Sequence, residues 1–450
     1  MKQDYLVQFN KTWKLAYPIC LSHLGHVLVG VADSIMVGNY GGEGAPIGAL
    51  SLAASSLANS IFSVVLVFGI GVSFAISPLV ASADGENNKN KLIELLKHSI
   101  LICTILGLLL SIILFFGSSA LQYFGQPIGV VNLAIPYFSI LGFSMLPLMV
   151  FMAFKNFSEG LSFTRQAMYI SVLSNVLNVF LNYLLIYGTF GFPEMGLNGA
   201  GWATFISRVV MAVAIFYYIY KSPFFIPYRA GFSFKNYSYD IIRKITRLGI
   251  PIGLQFTFEV GAFAFAAIMI GWIGAIQLAS HQIAITLASV TYMLASGISA
   301  ATTVRVGNQL GAGNLSGLRM AGYSGFILSF AFMFIAACVF VVFRNILPPL
   351  FNQHEQVIQL ASSLIVIAAL FQLSDGVQVV GLGALRGMSD VKIPTFITVF
   401  SYWCLALPLA YFLGFTLDFG ARGIWFGLLI GLSTAAVLLF TRFYNKSKPA

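Results

Sequence analysis

Residues 92–116 read LIELLKHSILICTILGLLLSIILFF, and from Ile100 to Phe116 this run contains no charged side chain. A helix needs about 20 mostly apolar residues to cross the hydrocarbon core of a bilayer, so the run predicts a membrane-spanning helix. The whole chain agrees with this reading, because 58% of its 450 residues are hydrophobic and only 8% are charged. Soluble domains carry about 25% charged residues, which excludes a soluble enzyme.

The same criterion identifies twelve membrane-spanning segments. None of them alternates polar and apolar residues as the strand of a membrane barrel does, so a β-barrel is rejected. We therefore expect an all-α polytopic membrane protein with twelve transmembrane helices. The predicted segments are residues 14–37, 47–80, 92–116, 131–154, 167–188, 199–220, 247–272, 276–303, 320–343, 356–385, 393–413 and 423–443.

The positions of the basic residues predict the orientation. The chain has 24 Lys and Arg against 14 Asp and Glu. With a cytoplasmic N-terminus, 21 of the 24 fall on the cytoplasmic side, Arg344 and Arg422 fall outside, and Arg208 lies within a span. This bias follows the positive-inside rule. It predicts a multi-pass protein of the bacterial inner membrane with both termini cytoplasmic, and it accounts for the basic charge without a nucleic-acid partner.

The chain also repeats itself. The six spans of each copy predict an N-terminal lobe at 1–220 and a C-terminal lobe at 247–450, joined by a cytoplasmic connecting loop at 221–246. Because six is even, both copies cross the membrane in the same sense, and the expected pseudo-twofold axis lies along the membrane normal. Such folds bind substrate between two lobes and work by alternating access. The repeated pairs are KLAYPI at 14–19 with RLGIPI at 247–252, and GVSFAISPLVASADGENN at 71–88 with GISAATTVRVGNQLGAGN at 297–314.

Three acidic residues, Asp33, Glu259 and Asp375, lie deep within predicted spans. A charge at the centre of a membrane helix costs about 2.5–3.5 kcal/mol on insertion scales, so such residues usually have a function. The alternative is a buried ion pair that serves packing alone. Arg208 is the one fixed cation that the sequence places deep within a span, so it cannot neutralise all three.

Polar side chains accompany these acids at helical spacing. A polar stripe that faced lipid would be costly, so we expect each stripe to face the protein interior or a cavity. Whether His23 and His26 carry protons or only hydrogen-bond inside the protein stays open, as does the pairing of Arg208 with Asp33. The stripes are Gln255 and Glu259; Gln372, Asp375 and Gln378; Gln282, Thr286, Ser289 and Tyr292; Ser171, Asn175, Asn178 and Asn182; and His23, His26, Gly30 and Asp33.

Around these residues the sequence resembles the multidrug and toxic-compound extrusion (MATE) transporters, in their NorM-type branch. The resemblance extends over the whole chain, and acidic residues occupy all three positions that mark this branch. A further segment, NVFLNYLLIYGTFGFPE, begins at Asn178. The remaining matching motifs are GVADSIMVG around Asp33, FTFEVGAFAF around Glu259, LASHQIA, TTVRVGNQLGAGN, and FQLSDGVQVVGLGALRG around Asp375.

The resemblance implies an antiporter that couples Na⁺ or H⁺ to the export of organic cations and other amphiphilic drugs. It assigns Glu259 and Asp375 to a cation site in the C-terminal lobe, where Na⁺ could bind, with Tyr292 near the cation. It assigns Asp33 and Asn178 to a second site in the N-terminal lobe. The substrate cavity would include the amide side chains of Gln282, Asn182, Gln255 and Gln378.

Two other functions were weighed against this one. A flippase for a lipid-linked precursor would need several basic residues around its cavity, whereas the candidates here are acidic. An intramembrane enzyme would need a metal cluster or a nucleophile beside a base, and His26 with Asp33 lacks a third ligand. The sequence has no nucleotide-binding motif, so transport must use an ion gradient or be passive. We expect no cofactor, Na⁺ or H⁺ as the coupling ion, and a monomer in the lipid bilayer.

Overall fold

The protein was analysed as a computed structural model. It describes residues 2–41, 46–229, 233 and 236–448, except for the side chains of 2–6, 46 and 229. Every regular element in these ranges is helical, which confirms the predicted all-α class. Part of the predicted connecting loop, residues 230–232 and 234–235, lies outside the described residues.

Sixteen α-helices follow one another along the described chain. Twelve continuous or interrupted segments of this series are long and apolar enough to cross a membrane, and each matches one predicted span, although the fifth ends at Tyr187, one residue before the predicted end. The helices are α1 (Lys2–Gly38), α2 (Pro46–Ser73), α3 (Ile76–Gly85), α4 (Lys89–Gly117), α5 (Ile128–Phe143), α6 (Met145–Gly160), α7 (Thr164–Tyr187), α8 (Leu197–Lys221), α9 (Ile226–Arg229), α10 (Tyr239–Ile273), α11 (Ala275–Gly311), α12 (Leu315–Phe343), α13 (Glu355–Gly387), α14 (Lys392–Val399), α15 (Leu407–Tyr411) and α16 (Gly420–Lys446).

Three spans are interrupted helices. The second is broken between α2 and α3, and the fourth is broken at Ser144, between α5 and α6. The eleventh widens into π-helical turns at Phe400–Ala406 and Phe412–Thr416, on either side of α15. Such turns place backbone and side chains differently from a regular helix and are frequent at functional sites.

The described chain packs as two compact units. The amino-terminal unit contains Leu24–Val80 and Asn88–Gly253, and the carboxy-terminal unit contains Met1–His23, Ala81–Asn87 and Leu254–Ala450. Helices α1 and α10 therefore each contribute to both units. The division into lobes at 1–220 and 247–450 stays a prediction.

Equivalent hydrogen bonds recur within each unit at the spacing of the sequence repeat. In the amino-terminal unit the Ser77 hydroxyl donates to the Asn156 carbonyl at 3.0 Å. In the carboxy-terminal unit, 226 and 227 residues further along, the Thr303 hydroxyl donates to the Gly383 carbonyl at 2.8 Å. The two copies of the sequence thus make the same local contact.

The polar stripe of α7 faces the interior of its unit, as expected. Asn178 and Asn182 are buried, whereas Leu173 and Val176 on the other side of the helix are 68% and 63% exposed. In a membrane protein the exposed apolar side can face lipid, and the buried amides need partners inside the unit. The same separation holds on α13, where Gln372, Asp375 and Gln378 are all buried.

Candidate functional site

Two buried carboxylates lie close together in the carboxy-terminal unit. Glu259 comes from α10 and Asp375 from α13, and each side chain is about 5% exposed or less. The two groups interact electrostatically. Because both groups are buried, they are poorly screened by water, and like charges in such a place repel strongly.

Glu259 is embedded in a chain of hydrogen-bonding side chains. The Gln378 amide donates to the Glu259 carboxylate at 3.2 Å, and the Tyr402 hydroxyl donates to the Gln378 carbonyl oxygen at 2.8 Å. Tyr402 belongs to the π-helical turn at Phe400–Ala406 and is fully buried. The network therefore fixes the orientation of Gln378 so that its amide nitrogen points at the carboxylate.

Asp375 has no comparable support. Among the described residues no group donates a hydrogen bond to its carboxylate, and no cation lies within 4 Å of it. Buried polar groups are almost always hydrogen-bonded, and each exception calls for an explanation. A carboxylate in this state can take up a cation or a proton.

The α11 stripe contributes two further candidates. Tyr292 is partly buried and interacts electrostatically with both Glu259 and Asp375, as its predicted place near a cation requires. Gln282 lies ten residues earlier, is exposed, and donates to the Thr286 hydroxyl at 3.4 Å. Only Tyr292 of the two therefore belongs to the acidic cluster, and the role of Gln282 in a cavity stays a prediction.

A second cluster surrounds Asp33 in the amino-terminal unit. The Asn182 amide donates to one carboxylate oxygen of Asp33. Asn178 lies 3.1 Å from the same oxygen when its amide is oriented to satisfy its neighbours, and its carbonyl then accepts from the Thr204 backbone. The three predicted residues of this cluster are thus brought together by α1 and α7.

Arg208 does not form an ion pair with Asp33. Its guanidinium donates to the Ser144 hydroxyl at 2.6 Å and lies over the Phe62 ring, 5.3 Å from the ring centroid. The two charges interact only at longer range. Arg208 therefore hydrogen-bonds the residue between α5 and α6, and it also provides a positive charge in the neighbourhood of Asp33.

Comparison with known proteins assigns the chain to a family. A sequence profile of the MatE family matches residues 18–184 and 251–412, one match in each repeat. The chain belongs to the MatE family. It is accordingly a multi-pass membrane transporter and not an enzyme, and the resemblance inferred from its motifs is confirmed.

Several MatE relatives match nearly the full chain. A probable multidrug resistance protein NorM of Agrobacterium fabrum is 35% identical, over 98% of this chain and 94% of the relative. A multidrug resistance protein MdtK of Yersinia pseudotuberculosis is 31% identical, over 98% and 96%. Among solved structures, the eukaryotic MATE transporter AtDTX14 shares the fold, with a TM-score of 0.88 at 21% identity and 99% coverage of both chains.

Two members of the carboxy-terminal network, Tyr402 and Arg386, are not among the residues predicted from the sequence. Tyr402 lies in an apolar run, where an aromatic residue is most simply read as facing lipid. Arg386 was assigned to a cytoplasmic loop, but it is buried in the last turn of α13. Its guanidinium donates to the Gln255 carbonyl oxygen at 3.1 Å and lies over the Phe256 ring at 4.8 Å.

The expectation that Arg208 is the only fixed cation inside the spans is therefore wrong. Besides Arg386, the structure buries Lys155, which forms an ion pair with Glu159 at 3.0 Å on α6. Both had been placed in loops because the apolar runs stop before them. The helices continue past the apolar runs, since a buried ion pair or a hydrogen-bonded guanidinium can be accommodated near a helix end.

The candidate site is not a conventional metal centre. Within the described residues, no group of three or more His, Cys, Asp or Glu side chains could hold a metal ion. A cation at Glu259 and Asp375 would have to complete its coordination with amide, hydroxyl or water oxygens. This arrangement fits a weakly held monovalent ion better than a tightly held structural metal.

Proposed function

We propose that this MatE chain is an antiporter that exports organic cations and amphiphilic drugs in exchange for Na⁺ or H⁺. The observation that carries the proposal is the pair of buried carboxylates Glu259 and Asp375, of which Asp375 lacks a hydrogen-bond donor among the described residues. The names of relatives such as NorM and MdtK as multidrug resistance proteins support drugs as the substrate class.

The mechanism follows from competition for one charged site. A cationic drug and the coupling ion both stabilise the same carboxylates. If both entered one low-dielectric site, their positive charges would repel each other. Binding of the ion therefore weakens drug binding, and by linkage the drug weakens ion binding to the same extent. Alternating access then converts this exchange into antiport. The membrane potential adds about 2.3 kcal/mol to the driving force for each elementary charge that crosses the membrane, per 100 mV.

Tyr292 supports the cationic nature of the substrate. An aromatic face binds a cation with about 0.5–2 kcal/mol, more when the cation is desolvated. Tyr292 interacts electrostatically with both carboxylates, so an organic cation there could combine charge neutralisation with ring contact. In the amino-terminal unit, Asp33 with Asn178 is the second candidate cation site, and the Asn182 amide donates to the Asp33 carboxylate. In the carboxy-terminal unit, the Gln378 amide donates to Glu259, and Gln255 is one turn before Glu259 on α10.

The experiment that tests this function uses purified protein in proteoliposomes loaded with a fluorescent organic cation. Efflux is measured after an inward sodium gradient is imposed, and separately after a proton gradient, each with the membrane potential clamped. We expect one of the two gradients to accelerate efflux several-fold over the no-gradient control. Equal rates with and without both gradients would contradict coupled antiport.

The orientation that we propose, with both termini cytoplasmic in the bacterial inner membrane, has a separate test. Lys244 near the start of α10 and Arg422 near the start of α16 are both exposed, and the basic-residue bias predicts that they lie on opposite sides. In intact cells, an impermeant thiol reagent should label Arg422→Cys and not Lys244→Cys, with the wild type as the blank. The reverse labelling pattern would overturn the orientation.

A further inference from the structure

Arg386 is a buried cation without an acidic partner in contact. It is 8% exposed, and its Nε atom has no hydrogen-bond partner among the described residues. Its guanidinium is held by the Gln255 carbonyl oxygen and the Phe256 ring, and no carboxylate of the described residues lies within 4 Å. A buried charge in this state is costly unless an opposite charge nearby compensates it.

The equivalent position in the first repeat shows how such a charge can be neutralised locally. Glu159 precedes Arg386 by 227 residues, the offset of the repeat in this region, and both lie one residue before a glycine. Glu159 is paired with Lys155 one turn earlier, at 3.0 Å. In the second repeat no acidic residue occupies that place, since Leu382 is the residue one turn before Arg386. The charge of Arg386 must therefore be balanced elsewhere.

The acidic group that interacts electrostatically with Arg386 is Glu259. Gln255 connects them, because its carbonyl oxygen accepts from Arg386 and Glu259 lies one turn further along α10. Arg386 also interacts electrostatically with Tyr292. Asp375 lies eleven residues earlier on α13, about 16 Å along the helix, so Arg386 acts on the acidic pair through α10 and not by touching Asp375.

The charges of this network can be counted. Glu259 and Asp375 contribute two negative charges and Arg386 one positive charge, and the other interacting side chains, Tyr292 and Tyr402, are uncharged phenols. The empty site therefore carries a net charge of −1 when both acids are ionised. A single monovalent cation neutralises it, and a second one would leave it positive in a medium of low dielectric constant.

We propose that Arg386 is a positioning residue that orients Gln255, one turn before Glu259 on α10, and that it limits the acidic site to one monovalent cation at a time. This inference rests on the proposed function, because it concerns the exchange of ion and drug at that site. With Arg386 present, the coupling ion and a cationic drug exclude each other from the site. Without it, a site with two negative charges could hold the ion and a cationic drug together.

Restoring the charge of the site gives the most direct test. The probe is radiolabelled tetraphenylphosphonium, a lipophilic monocation, and its binding to purified protein is measured at constant pH. In Glu259→Gln the net charge becomes zero, and we expect affinity to fall about tenfold or more. In the double variant E259Q/R386Q the charge returns to −1, and most of the lost affinity should return. A merely structural role of Arg386 would make the double variant weaker still.

The matched control removes an arginine whose charge is already balanced. Arg442 lies in the same unit and forms an ion pair with Asp390 at 2.7 Å. E259Q/R442Q should bind the probe as weakly as E259Q. Arg386→Lys, which keeps the charge, should bind within about threefold of the wild type. Restoration by R442Q as well would show a nonspecific effect of lost basic charge and would overturn the inference.

Competition provides a second measurement on the single variant. In the wild type, saturating NaCl or low pH should displace the probe completely, whereas in Arg386→Gln a fraction should stay bound. Complete displacement from R386Q, or a double variant no better than E259Q, would overturn the role of Arg386. If neither ion displaces the probe from the wild type, the proposed exchange fails. If neither R386Q nor E259Q/R386Q folds, the single variant E259Q still tests the charge count. Probe affinity equal to that of the wild type in E259Q would overturn it.

Discussion

Asp33 lies in the first span of the first repeat and Glu259 in the first span of the second, but their surroundings differ. Asp33 is the only carboxylate of its cluster, two asparagines approach it, and Arg208 balances its charge at longer range. Glu259 shares its surroundings with a second carboxylate, and Arg386 balances only one of the two charges. The amino-terminal cluster is thus neutral overall, and the carboxy-terminal cluster is not.

This difference indicates which of the two clusters binds a cation more favourably. In the amino-terminal unit, the asparagine amides already satisfy the carboxylate, so an incoming cation must displace hydrogen bonds. In the carboxy-terminal unit, Asp375 has no donor to displace among the described residues, and an excess negative charge remains. We infer that ion and drug exchange at Glu259 and Asp375, and that Asp33 has a smaller effect on cation affinity.

The largest expected effect is the loss of transport when either member of the acidic pair is neutralised. Glu259→Gln and Asp375→Asn should each reduce gradient-driven efflux to the background of empty liposomes, because the site loses the excess charge that attracts a cation. Neither substitution should prevent insertion, since removing a charge from a membrane helix lowers its insertion cost. The measurement is efflux from proteoliposomes with equal protein content.

The double variant E259Q/D375N provides the control for this prediction. If the two carboxylates act as one unit, the double variant should be no worse than either single variant, because the effects of coupled residues do not add. Near-normal efflux by either single variant would remove that residue from the exchange site.

Neutralising Asp33 should have an intermediate effect and sharpens the contrast between the units. Asp33→Asn keeps the shape of the side chain, so we expect normal expression with efflux reduced but still measurable. Binding of a monocation should change less than in Glu259→Gln, because the amino-terminal cluster has no excess negative charge. A loss of expression instead would indicate that Asp33 stabilises the fold by balancing Arg208.

Tyr292 tests the ring contact proposed for the substrate. Tyr292→Ala should weaken export of cationic drugs by several-fold to tens-fold, in line with a cation–π contribution of about 0.5–2 kcal/mol. Tyr292→Phe retains the aromatic face and should keep most of the activity. If the alanine and phenylalanine variants behave alike, the ring makes no contact with the cation that matters for export.

The smallest expected effect concerns the hydroxyl of Tyr402, which orients Gln378. Tyr402→Phe removes a hydrogen bond worth about 0.5–1.5 kcal/mol, so the ion concentration for half-maximal efflux should rise about 2–10-fold. The matched change in the other unit is Tyr187→Phe, whose hydroxyl donates to the Met36 carbonyl at 2.8 Å. That variant should leave the ion dependence unchanged, and an equal shift in both would remove the distinction between the units.

Apolar runs and isolated acids were enough to predict much of this molecule from the sequence. The twelve spans follow from hydrophobicity, and Asp33, Glu259 and Asp375 were identified because a charge in a membrane helix is costly. The sequence could not reveal Arg386, because it lies beyond the end of an apolar run and only the continued helix buries it. Tyr402 was hidden for the opposite reason, since nothing distinguishes it from lipid-facing aromatic residues in its span.

Reciprocal coupling tests the central claim most directly. If ion and drug exchange at Glu259 and Asp375, an outward gradient of a cationic drug must drive movement of the coupling ion in the opposite direction, because linkage acts both ways. The measurement follows ²²Na⁺ or internal pH in proteoliposomes loaded with drug, without any imposed ion gradient. We expect drug-driven ion uptake by the wild type and none by Asp375→Asn. Ion uptake of wild-type size in Asp375→Asn would contradict exchange at the acidic pair.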